Sequence, residues 1–364
     1  MTRKPTIKDV SKRASVGLLT RKPTIKDVAS LAGVGPMTVS RLLNGSAYVS
    51  DDAARRIRSA VQKLGYRPNE MARALRGQKS RSIGIIVPYL YDPFFAMCAH
   101  ALNTVARENG YSVILTTSNE DSETEYTEAQ LMLRRHVDGL IVIPANEGPS
   151  RLSLPEFHGT PIVAIDRPLR DERCCSVLVE NRAGVELAIE HLVSAHGHKR
   201  VAFAALNDRL YTLRTRFEGY QRAMRRAGLK PLPILACPTQ EVASVVLLDA
   251  LRGAHPPTAI FTSNGLTTRY ALVALLDAGV RIPTDLALAA FDDFDMADVL
   301  KPRLSVVRQP AQELGRVAAN LLFDILASAE PSRSATKIVL PVQWIARNSC
   351  GCTASTPAHL SHKS

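Results

Sequence analysis

Short apolar runs alternate with helical patterns along most of the chain. After residue 82, runs rich in β-branched and other apolar residues recur between segments whose apolar residues have helical spacing. The runs are Ile83–Val87, Val113–Thr117, Gly139–Ile143, Ile162–Ile165, Val177–Val179, Val201–Ala205, Ala259–Thr262 and Ala287–Phe291. Near-continuous apolar strands separated by helices are typical of parallel sheets covered on both faces. The pattern predicts an α/β core at residues 83–349, built from two doubly wound sheets at about 83–178 and 179–307.

The first quarter has a different pattern, that of short amphipathic helices. Thr24 and Asp27 form a T-x-x-D capping box ahead of apolar residues at helical spacing. Gly33 interrupts this spacing, and a second helix begins at Pro36, a residue favoured in a first helical turn. Its inward positions are Val39, Leu42 and Leu43, and its outward face carries Pro36, Met37, Ser40, Arg41 and Asn44. With a third amphipathic helix beyond it, the region 20–68 is predicted to form a helix-turn-helix domain.

The stretch Thr2–Val10 recurs letter for letter at Thr20–Val28. The first copy has no second helix of its own, so it cannot read a DNA groove. We therefore interpret residues 1–19 as a partial duplication and expect them to be mostly disordered. The alternative is a basic arm that contacts phosphates through Arg3, Lys4, Lys8, Lys12 and Arg13.

Charge separates the first quarter from the rest of the chain. Residues 1–82 hold 18 Lys and Arg against 5 Asp and Glu, a net charge of +13. The remaining residues hold 28 against 29, so they are close to neutral. A compact basic module attached to a neutral body is typical of a protein that binds a polyanion such as DNA.

Other chemistry in the sequence is sparse. None of the predicted strands is followed by Gly-x-Gly-x-x-Gly or a Walker motif, which argues against a nucleotide cofactor. Cys350-Gly-Cys352 and His196-Gly-His198 each offer half of a metal site, but neither has a second pair at zinc-finger spacing. We therefore predict no cofactor, no metal and free thiols. The sequence also lacks a membrane-length apolar run and an apolar signal-peptide core, so we expect a cytoplasmic protein.

Several motifs together resemble the LacI/GalR family of bacterial repressors. They are Thr24-Ile-Lys-Asp-Val-Ala29, Val34, Thr38-Val-Ser-Arg41, Asn44-Gly45, Tyr48-Val-Ser50, Leu64-Gly-Tyr-Arg-Pro-Asn69 and Ala72-Arg-Ala-Leu75. Matches are dense over residues 24–95 and continue more loosely to about residue 349. The resemblance implies a two-lobed core like that of periplasmic binding proteins, in which residues 308–338 return to the first lobe and 339–349 to the second. A polar tail at 350–364 follows.

The resemblance also implies how the chain meets DNA. In that family the second helix lies in the major groove, which assigns specificity to Pro36, Met37 and Arg41. Arg41 can hydrogen-bond the O6 and N7 of a guanine, and a phosphate contact is its alternative role. Residues 69–82 resemble the hinge helix and linker, with Leu75 as a minor-groove wedge or, alternatively, as a residue packed on the core. The implied DNA contacts are Thr24, Pro36, Met37, Thr38, Ser40, Arg41, Asn44, Tyr66, Leu75 and Arg76.

A ligand site is implied between the lobes, because doubly wound sheets bind ligands beyond the carboxyl ends of their strands. Asp166, Asn264 and Asp292 each follow a predicted strand, and Arg216 lies at the start of a predicted helix. By resemblance these four residues line the ligand cleft. Carboxylate, amide and guanidinium groups each bind vicinal hydroxyls, which suits a sugar or sugar derivative.

Phe94 and Phe95 match the first-lobe wall of that cleft, with core packing as the alternative. Asp166 has an alternative as well, a local ion pair with Arg167. Where the family commonly has Asn-Asp, this chain has Asn264-Gly265, so the resemblance names no particular sugar.

The leading hypothesis is a homodimeric repressor that binds a pseudo-palindromic DNA operator under the control of a small metabolite. The alternative is a cytoplasmic sugar-binding protein that has lost DNA binding. The sequence has no nucleophile motif, metal set or phosphate loop, so we do not expect an enzyme.

Overall fold

The computed structural model describes residues 22–44, 48–66, 79–145, 150–169, 171, 174–207, 209–328 and 335–353. The predicted residues Leu75 and Arg76, the first copy of the repeat and the polar tail after Thr353 lie outside the described residues. The chain falls into two units, Met1–Gln78 and Lys79–Ser364, and each is described by itself.

The first unit contains three helices, α1 (Ile25–Ala32), α2 (Pro36–Asn44) and α3 (Asp51–Leu64). Their buried core is small and is made of Val28, Ala29, Ala32, Val39, Ile57 and Ala60. Leu42 and Leu43 are partly buried against this core, as their inward positions on α2 predict. Two helices joined by the short turn Gly33–Gly35, with a third helix covering them, form the predicted helix-turn-helix.

The second unit is built from two six-stranded sheets with the same strand order. The strands are β1 (Ser82–Val87), β2 (Ser112–Thr117), β3 (Gly139–Val142), β4 (Ile162–Ile165), β5 (Cys175–Val179), β6 (Val201–Ala205), β7 (Ile234–Ala236), β8 (Ala259–Thr262), β9 (Ala287–Phe291), β10 (Ser305–Arg308), β11 (Lys337–Leu340) and β12 (Gln343–Ile345). The first sheet has the order β11-β5-β4-β3-β1-β2 and the second β12-β10-β9-β8-β6-β7. Every pairing is parallel except β10 with β12. The predicted fold class is therefore confirmed.

Helices connect the strands and cover the sheets. They are α4 (Pro93–Glu108), α5 (Ser122–Arg134), α6 (Asn181–Ser194), α7 (Tyr211–Arg226), α8 (Gln240–Arg252), α9 (Gly265–Asp277) and α10 (Ala311–Ala327). One hydrophobic cluster includes strand residues of both sheets, among them Ile83, Phe203 and Phe291. Within the described part of the chain, no helix is both long and apolar enough to cross a membrane.

The chain passes between the two lobes three times. The first passage follows β5, because α6 packs on α7, β10 and β12 of the second lobe. The second follows β10, because α10 packs on α4 and on the strands β3, β4 and β5 of the first lobe. The third separates β11 from β12, so it falls after Leu340 rather than at about residue 338. Three passages bring the carboxyl ends of both parallel sheets to one interlobe cleft.

Candidate functional site

The start of α1 is held by a capping box at Thr24. The Thr24 backbone N–H donates to Asp27 Oδ2 at 2.7 Å, and the Thr24 hydroxyl donates to the same oxygen at 2.7 Å. This arrangement fixes the entry of the chain into the helix-turn-helix. Thr24 is exposed, so it stays available for the DNA contact that the resemblance implies.

The outward face of α2 is open to solvent. Pro36, Met37 and Arg41 are exposed, with Met37 67% accessible, while Thr38 and Ser40 are partly buried. Val39 is fully buried on the opposite side and holds the helix against the core. The exposed side chains of Pro36, Met37 and Arg41 therefore remain free to meet the DNA that the resemblance implies.

Two other predicted DNA contacts have different surroundings. Tyr66 is half-buried and packs against the small helical core, so its ring is partly structural. Asn44 is the last residue of α2, and its side chain is outside the described residues. Sequence reasoning assigned no role to Tyr48, which is 90% exposed immediately before α3 and adds an aromatic hydroxyl to this unit's surface.

In the core, Asp166 and Asp292 have equivalent positions in the two sheets. Each follows a strand that ends in the cleft, and each has a positive φ, 66° for Asp166 and 80° for Asp292. Such backbone angles are uncommon for residues other than glycine, although aspartate and asparagine tolerate them better than most. Uncommon backbone conformations of this kind cluster at ligand sites.

Arg216 is a buried cation of the cleft. Its Nε donates to Asn181 Oδ1 and one terminal nitrogen donates to the Ser263 carbonyl oxygen, both at 2.7 Å. The same terminal nitrogen lies 4.0 Å from Asp292 Oδ2, and the guanidinium stacks 3.6 Å from the Phe291 ring centroid. Burial lowers the pKa of Arg216 from its usual value, and the charges of Asp292 and Asp166 oppose this effect.

A close approach of α6 to α7 explains why Arg216 reaches Asn181. Gly219 lies one turn after Arg216, and a β-carbon there would be 2.5 Å from the Arg182 carbonyl oxygen. Only glycine permits this separation, because the obstructing atom belongs to the backbone. The Arg216-Phe-Glu-Gly219-Tyr220 sequence therefore places the guanidinium through its glycine as well as through its own position.

Asn264 is the N-cap of α9. Its Oδ1 accepts hydrogen bonds from the Thr267 backbone N–H at 2.9 Å and from the Thr267 hydroxyl at 2.6 Å. Both lone pairs of that oxygen are therefore engaged within the chain. A ligand contact from Asn264 would have to come from its amide nitrogen.

Phe94 and Phe95, which the resemblance places on the first-lobe wall of the cleft, are nearly completely buried. Phe94 and Phe95 are 7% and 6% exposed and form an edge-to-face pair with ring centroids 5.4 Å apart. The first lobe offers other aromatic rings to the solvent. Tyr91 is 72% exposed and stacks on Tyr89 with centroids 4.9 Å apart, which is the kind of surface that covers an apolar sugar face.

Asp92 is a further cleft residue that the sequence analysis did not identify. Its Oδ1 accepts the Phe94 backbone N–H at 2.9 Å and so caps α4. Burial and the nearby charges of Asp292 and Asp166 raise the pKa of Asp92 to about 6. The signal that was available is its position in Asp-Pro-Phe-Phe, where it follows β1 and precedes a helix, as Asn264 follows β8.

Four strands are each followed directly by a residue with a buried polar side-chain atom that has no hydrogen-bond partner among the described residues. The atoms are Ser118 Oγ after β2, Asp166 Oδ1 after β4, Ser263 Oγ after β8 and Gln309 Oε1 after β10. Buried polar atoms are normally paired, and each unpaired one carries a desolvation cost of about 1–3 kcal/mol. Their common position at the carboxyl ends of parallel strands is the position at which ligands of this fold bind.

Comparisons with known proteins agree with both halves of this description. The family model described as bacterial regulatory proteins, lacI family, matches residues 24–69, and a periplasmic binding protein-like domain matches residues 189–350. The chain is 33% identical over 321 residues to a ribose operon repressor of Halalkalibacterium halodurans, covering 87% of this chain and 89% of that protein.

Solved structures share the fold. The transcriptional regulator CelR in complex with cellobiose is 27% identical, with a TM-score of 0.65, over 90% of this chain and 99% of that one. The lac repressor dimer bound to operator and an anti-inducer is 23% identical with a TM-score of 0.79, over 91% and 99%, respectively. From its helix-turn-helix, its two-lobed core and these matches, the chain belongs to the lacI family of bacterial transcriptional regulators, which bind DNA and are not enzymes.

Proposed function

We propose that this protein is a transcriptional repressor that binds a pseudo-palindromic operator as a homodimer and responds to a sugar or sugar derivative in the interlobe cleft. The exposed face of α2, with Pro36, Met37 and Arg41, supports the DNA-binding half of this proposal. An isolated unit with so small a core gains stability from docking to DNA or to a partner copy.

The observation that carries the ligand half is the set of unpaired buried atoms at the strand ends. A serine hydroxyl both donates and accepts, and the carboxylate and amide oxygens accept. A polyhydroxylated ligand can supply donors to the carboxylate and amide oxygens and exchange either kind of bond with the two hydroxyls. Arg216 and Asp292 add a cation and an anion that bind adjacent hydroxyls in the same way.

Names of relatives include ribose operon repressors and the repressor PurR, so they agree with a sugar without selecting it. One relative is a ribose operon repressor, and a structural neighbour holds cellobiose. These two sugars differ in size and ring type, so neither is transferred to this chain. The glycine at Gly265, which has no carboxylate to offer, also makes the ligand set different from the common family pattern.

Control by the ligand requires that the cleft and the operator be coupled. A ligand that closes the cleft shifts one lobe relative to the other and so changes how two copies present their DNA-binding units. The coupling is reciprocal: a ligand that weakens operator binding is itself weakened by the operator, with typical couplings of ~1–3 kcal/mol.

A first experiment tests both halves on the purified full chain. Genomic fragments retained at physiological salt are sequenced, and ribose, glucose, cellobiose and a purine base are titrated against the protein by calorimetry. We expect a common pseudo-palindrome among the fragments and binding of at least one sugar. Sugar binding without fragment enrichment would instead support a sugar-binding protein that has lost DNA binding, and binding of the purine alone would refute the sugar class.

Arg41 gives a sharper test of the DNA-binding face. Substituting Arg41→Ala should relax discrimination at one base pair by ~1–3 kcal/mol, because a bidentate guanine contact is lost. Arg55→Ala is the matched control, since it removes one positive charge from α3, where Arg55 already pairs with Asp52 at 2.7 Å. Competition binding on operators mutated base by base measures the effect. Equal losses on operator and random DNA for Arg41→Ala would mean a phosphate contact.

A further inference from the structure

Two histidines and two cysteines meet in the second lobe, away from the interlobe cleft. They are His191, His196, Cys350 and Cys352, and their donor atoms all lie within 4.8 Å of one another. Cys350 is fully buried and the other three are partly buried. The set joins the end of α6 to the segment after β12, more than 150 residues later in the chain.

The distances between the donor atoms fit one tetrahedral ion. His191 Nε2 lies 3.2 Å from His196 Nε2, 3.5 Å from Cys350 Sγ and 3.4 Å from Cys352 Sγ, while Cys352 Sγ lies 3.3 Å from His196 Nε2. Tetrahedral zinc, with bonds of about 2.3 Å to sulfur and about 2.0–2.1 Å to nitrogen, sets donor separations of roughly 3.3–3.8 Å. Four of the six donor separations are therefore close to those of a zinc polyhedron, and the other two are at most 4.8 Å.

The backbone is adapted to this close approach at Gly351. Gly351 has a φ of 108°, and a β-carbon there would lie 3.0 Å from His196 Nδ1. A residue with a side chain would be strained in its backbone and crowded against a donor ring, so glycine lets the two cysteines face the two histidines. Trp344 covers the site, with its ring centroid 5.3 Å from that of His191.

The helix adds a favourable field. His191 lies in the last turn of α6, which ends at Ser194. The carboxyl end of a helix carries a partial negative charge that favours a bound cation. Two thiolates and two neutral imidazoles together with this helix end suit a divalent, borderline-soft ion.

We propose that His191, His196, Cys350 and Cys352 form a structural zinc site that fastens the C-terminal segment to α6. Four protein ligands fill a tetrahedral ion, which leaves no open position for a substrate and makes the site structural. Sulfur and nitrogen donors in this number favour zinc over magnesium or calcium, which take oxygen. Zinc binding stabilises the folded second lobe, because a ligand set joined from two distant segments does not exist in the unfolded chain.

The sequence argument against a metal considered each pair separately. It grouped His196 with His198, but His198 Nδ1 instead lies 3.0 Å from the Thr258 hydroxyl, and the ring centroids of the two histidines are 6.3 Å apart. The actual partner of His196 is His191, five residues earlier, on a helix that the sequence assigned only to the core. Spacing along the chain could not reveal a site whose halves are joined by the fold.

The experiment uses the full-length protein purified under reducing conditions. Zinc content is measured by mass spectrometry for the parent chain, Cys352→Ser, His196→Gln and the control His198→Gln. We expect about one zinc per chain in the parent and in the control, and background levels in the other two. Cobalt substituted into the parent should show the visible bands of a tetrahedral ion and a thiolate-to-metal charge-transfer band.

Thermal unfolding of the parent adds a readout that does not depend on a variant folding, and two variants serve as comparisons. A strong chelator should lower the midpoint of the parent and of His198→Gln but leave Cys352→Ser unchanged. Background zinc in the parent, together with an octahedral cobalt spectrum, would overturn the proposal. Quantitative formation of a Cys350–Cys352 disulfide would also overturn it. The proposal would fail as well if, in the presence of zinc, the Cys350 thiol kept its contact with the Arg347 carbonyl oxygen, at 3.2 Å, in a cluster held by hydrogen bonds alone.

Discussion

Asp166 and Asp292 occupy the same place in two lobes of the same strand order, but their surroundings differ. The Asp166 backbone N–H donates to the Val177 carbonyl and that of Asp292 to the Val307 carbonyl, both at 3.0 Å. Both Asp292 oxygens then accept hydrogen bonds, Oδ2 from the Gly265 backbone N–H and Oδ1 from the Gln309 amide. Asp166 Oδ1 has no partner among the described residues, and its other oxygen is 3.4 Å from Arg167 Nε.

Burial widens this contrast. The Asp166 side chain is 4% exposed and that of Asp292 is 15% exposed. Desolvation raises the pKa of Asp166, although the charges of Arg167 and Arg216 oppose it. On the same side of the cleft, burial raises the pKa of Asp92 to about 6 and that of Glu125, whose Oε2 accepts the Ala145 N–H at 2.6 Å, to about 7. The first lobe therefore holds carboxyl groups that are desolvated before they are fully paired.

This difference between Asp166 and Asp292 suggests different roles for the two lobes in binding the proposed ligand. In the second lobe Arg216, Asn264 and Asp292 are fixed by bonds within the chain, although Ser263 Oγ and Gln309 Oε1 have no partner among the described residues. The first lobe has carboxyl groups that gain most when a ligand brings hydroxyl donors. On the proposed function, Arg216, Asn264 and Asp292 would meet the ligand already in place, and Asp166 would gain a hydroxyl donor from it.

The largest expected effect comes from removing the centre of the second lobe. Arg216→Met keeps an unbranched apolar stem but removes the guanidinium that stacks on Phe291, and it leaves Asp292 and the Ser263 carbonyl without their cation. Breaking a buried charge pair costs about 3–5 kcal/mol, so we expect a loss of that order in the free energy of unfolding together with loss of sugar binding. Urea unfolding and calorimetry measure the two effects.

Arg281→Met is the control for that substitution. Arg281 is 73% exposed and pairs with Asp285 four residues later on the surface, so its loss should leave the free energy of unfolding nearly unchanged. Sugar binding should not change. If Arg216→Met were as mild as this control, the guanidinium would not organise the second lobe.

Much of the fold was predictable because parallel strands that are buried on both faces have continuous apolar sequences. Ile162–Ile165, Val201–Ala205 and Ala287–Phe291 have in the structure the bounds expected from the sequence. The missed strands are β7, β10, β11 and β12. β7 and β12 have three residues each, and β11 alternates exposed with partly buried positions at a sheet edge. Their pairing comes from the neighbouring strand more than from their own composition.

Less of the site was predictable, and the reason is physical. Asp166 and Asp292 follow clear strands, so topology alone suggests their position at the cleft. Asp92 gave a weaker signal: it also follows a strand, but an aspartate before proline and a helix is expected simply as a cap. Its proximity to Asp292 depends on how two separately folded sheets face each other, which no local pattern encodes. The same holds for the cluster of His191, His196, Cys350 and Cys352.

A pH-dependent effect on stability should reveal the desolvated carboxyl group of Asp92 in the first lobe. The pKa of Asp92 is about 6 in the folded chain against an ordinary value of 3.8, so the folded state binds this proton more tightly. Stability is therefore lost as the pH rises from about 4 to about 6, by up to about 3 kcal/mol for this group. Asp92→Asn keeps the cap on Phe94 and should raise the free energy of unfolding at pH 7 while removing that part of the slope.

Asp121→Asn is the matched control for Asp92→Asn, and it should change the free energy of unfolding at pH 7 in the opposite direction. Asp121 caps α5 in the same way, with its Oδ1 accepting the Thr124 N–H at 2.8 Å, but it is exposed and its hydrogen bonds lower its pKa. Its contribution is present above the ordinary pKa and lost as the pH falls, so the variant should be less stable than the parent at pH 7. Urea unfolding from pH 4 to 8 distinguishes the two, and equal slopes for Asp92→Asn and the parent would contradict the desolvation of Asp92.

The variants Asp166→Asn and Asp292→Asn compare the two lobes directly. Of the effects predicted here on the free energy of unfolding, the difference between these two variants is the smallest. In Asp292→Asn the new NH2 group would face either the Gly265 N–H or the Gln309 amide N–H. Two donors would then face each other, which should lower the free energy of unfolding by about 1–3 kcal/mol. At Asp166 the amide would take the place of an oxygen without a partner, and the loss of a buried charge should leave the free energy of unfolding unchanged or raised. Both variants should weaken sugar binding, because both carboxylates lie in the proposed ligand cleft. If Asp166→Asn destabilised the protein as much as Asp292→Asn, the first lobe would be as fully organised before binding as the second.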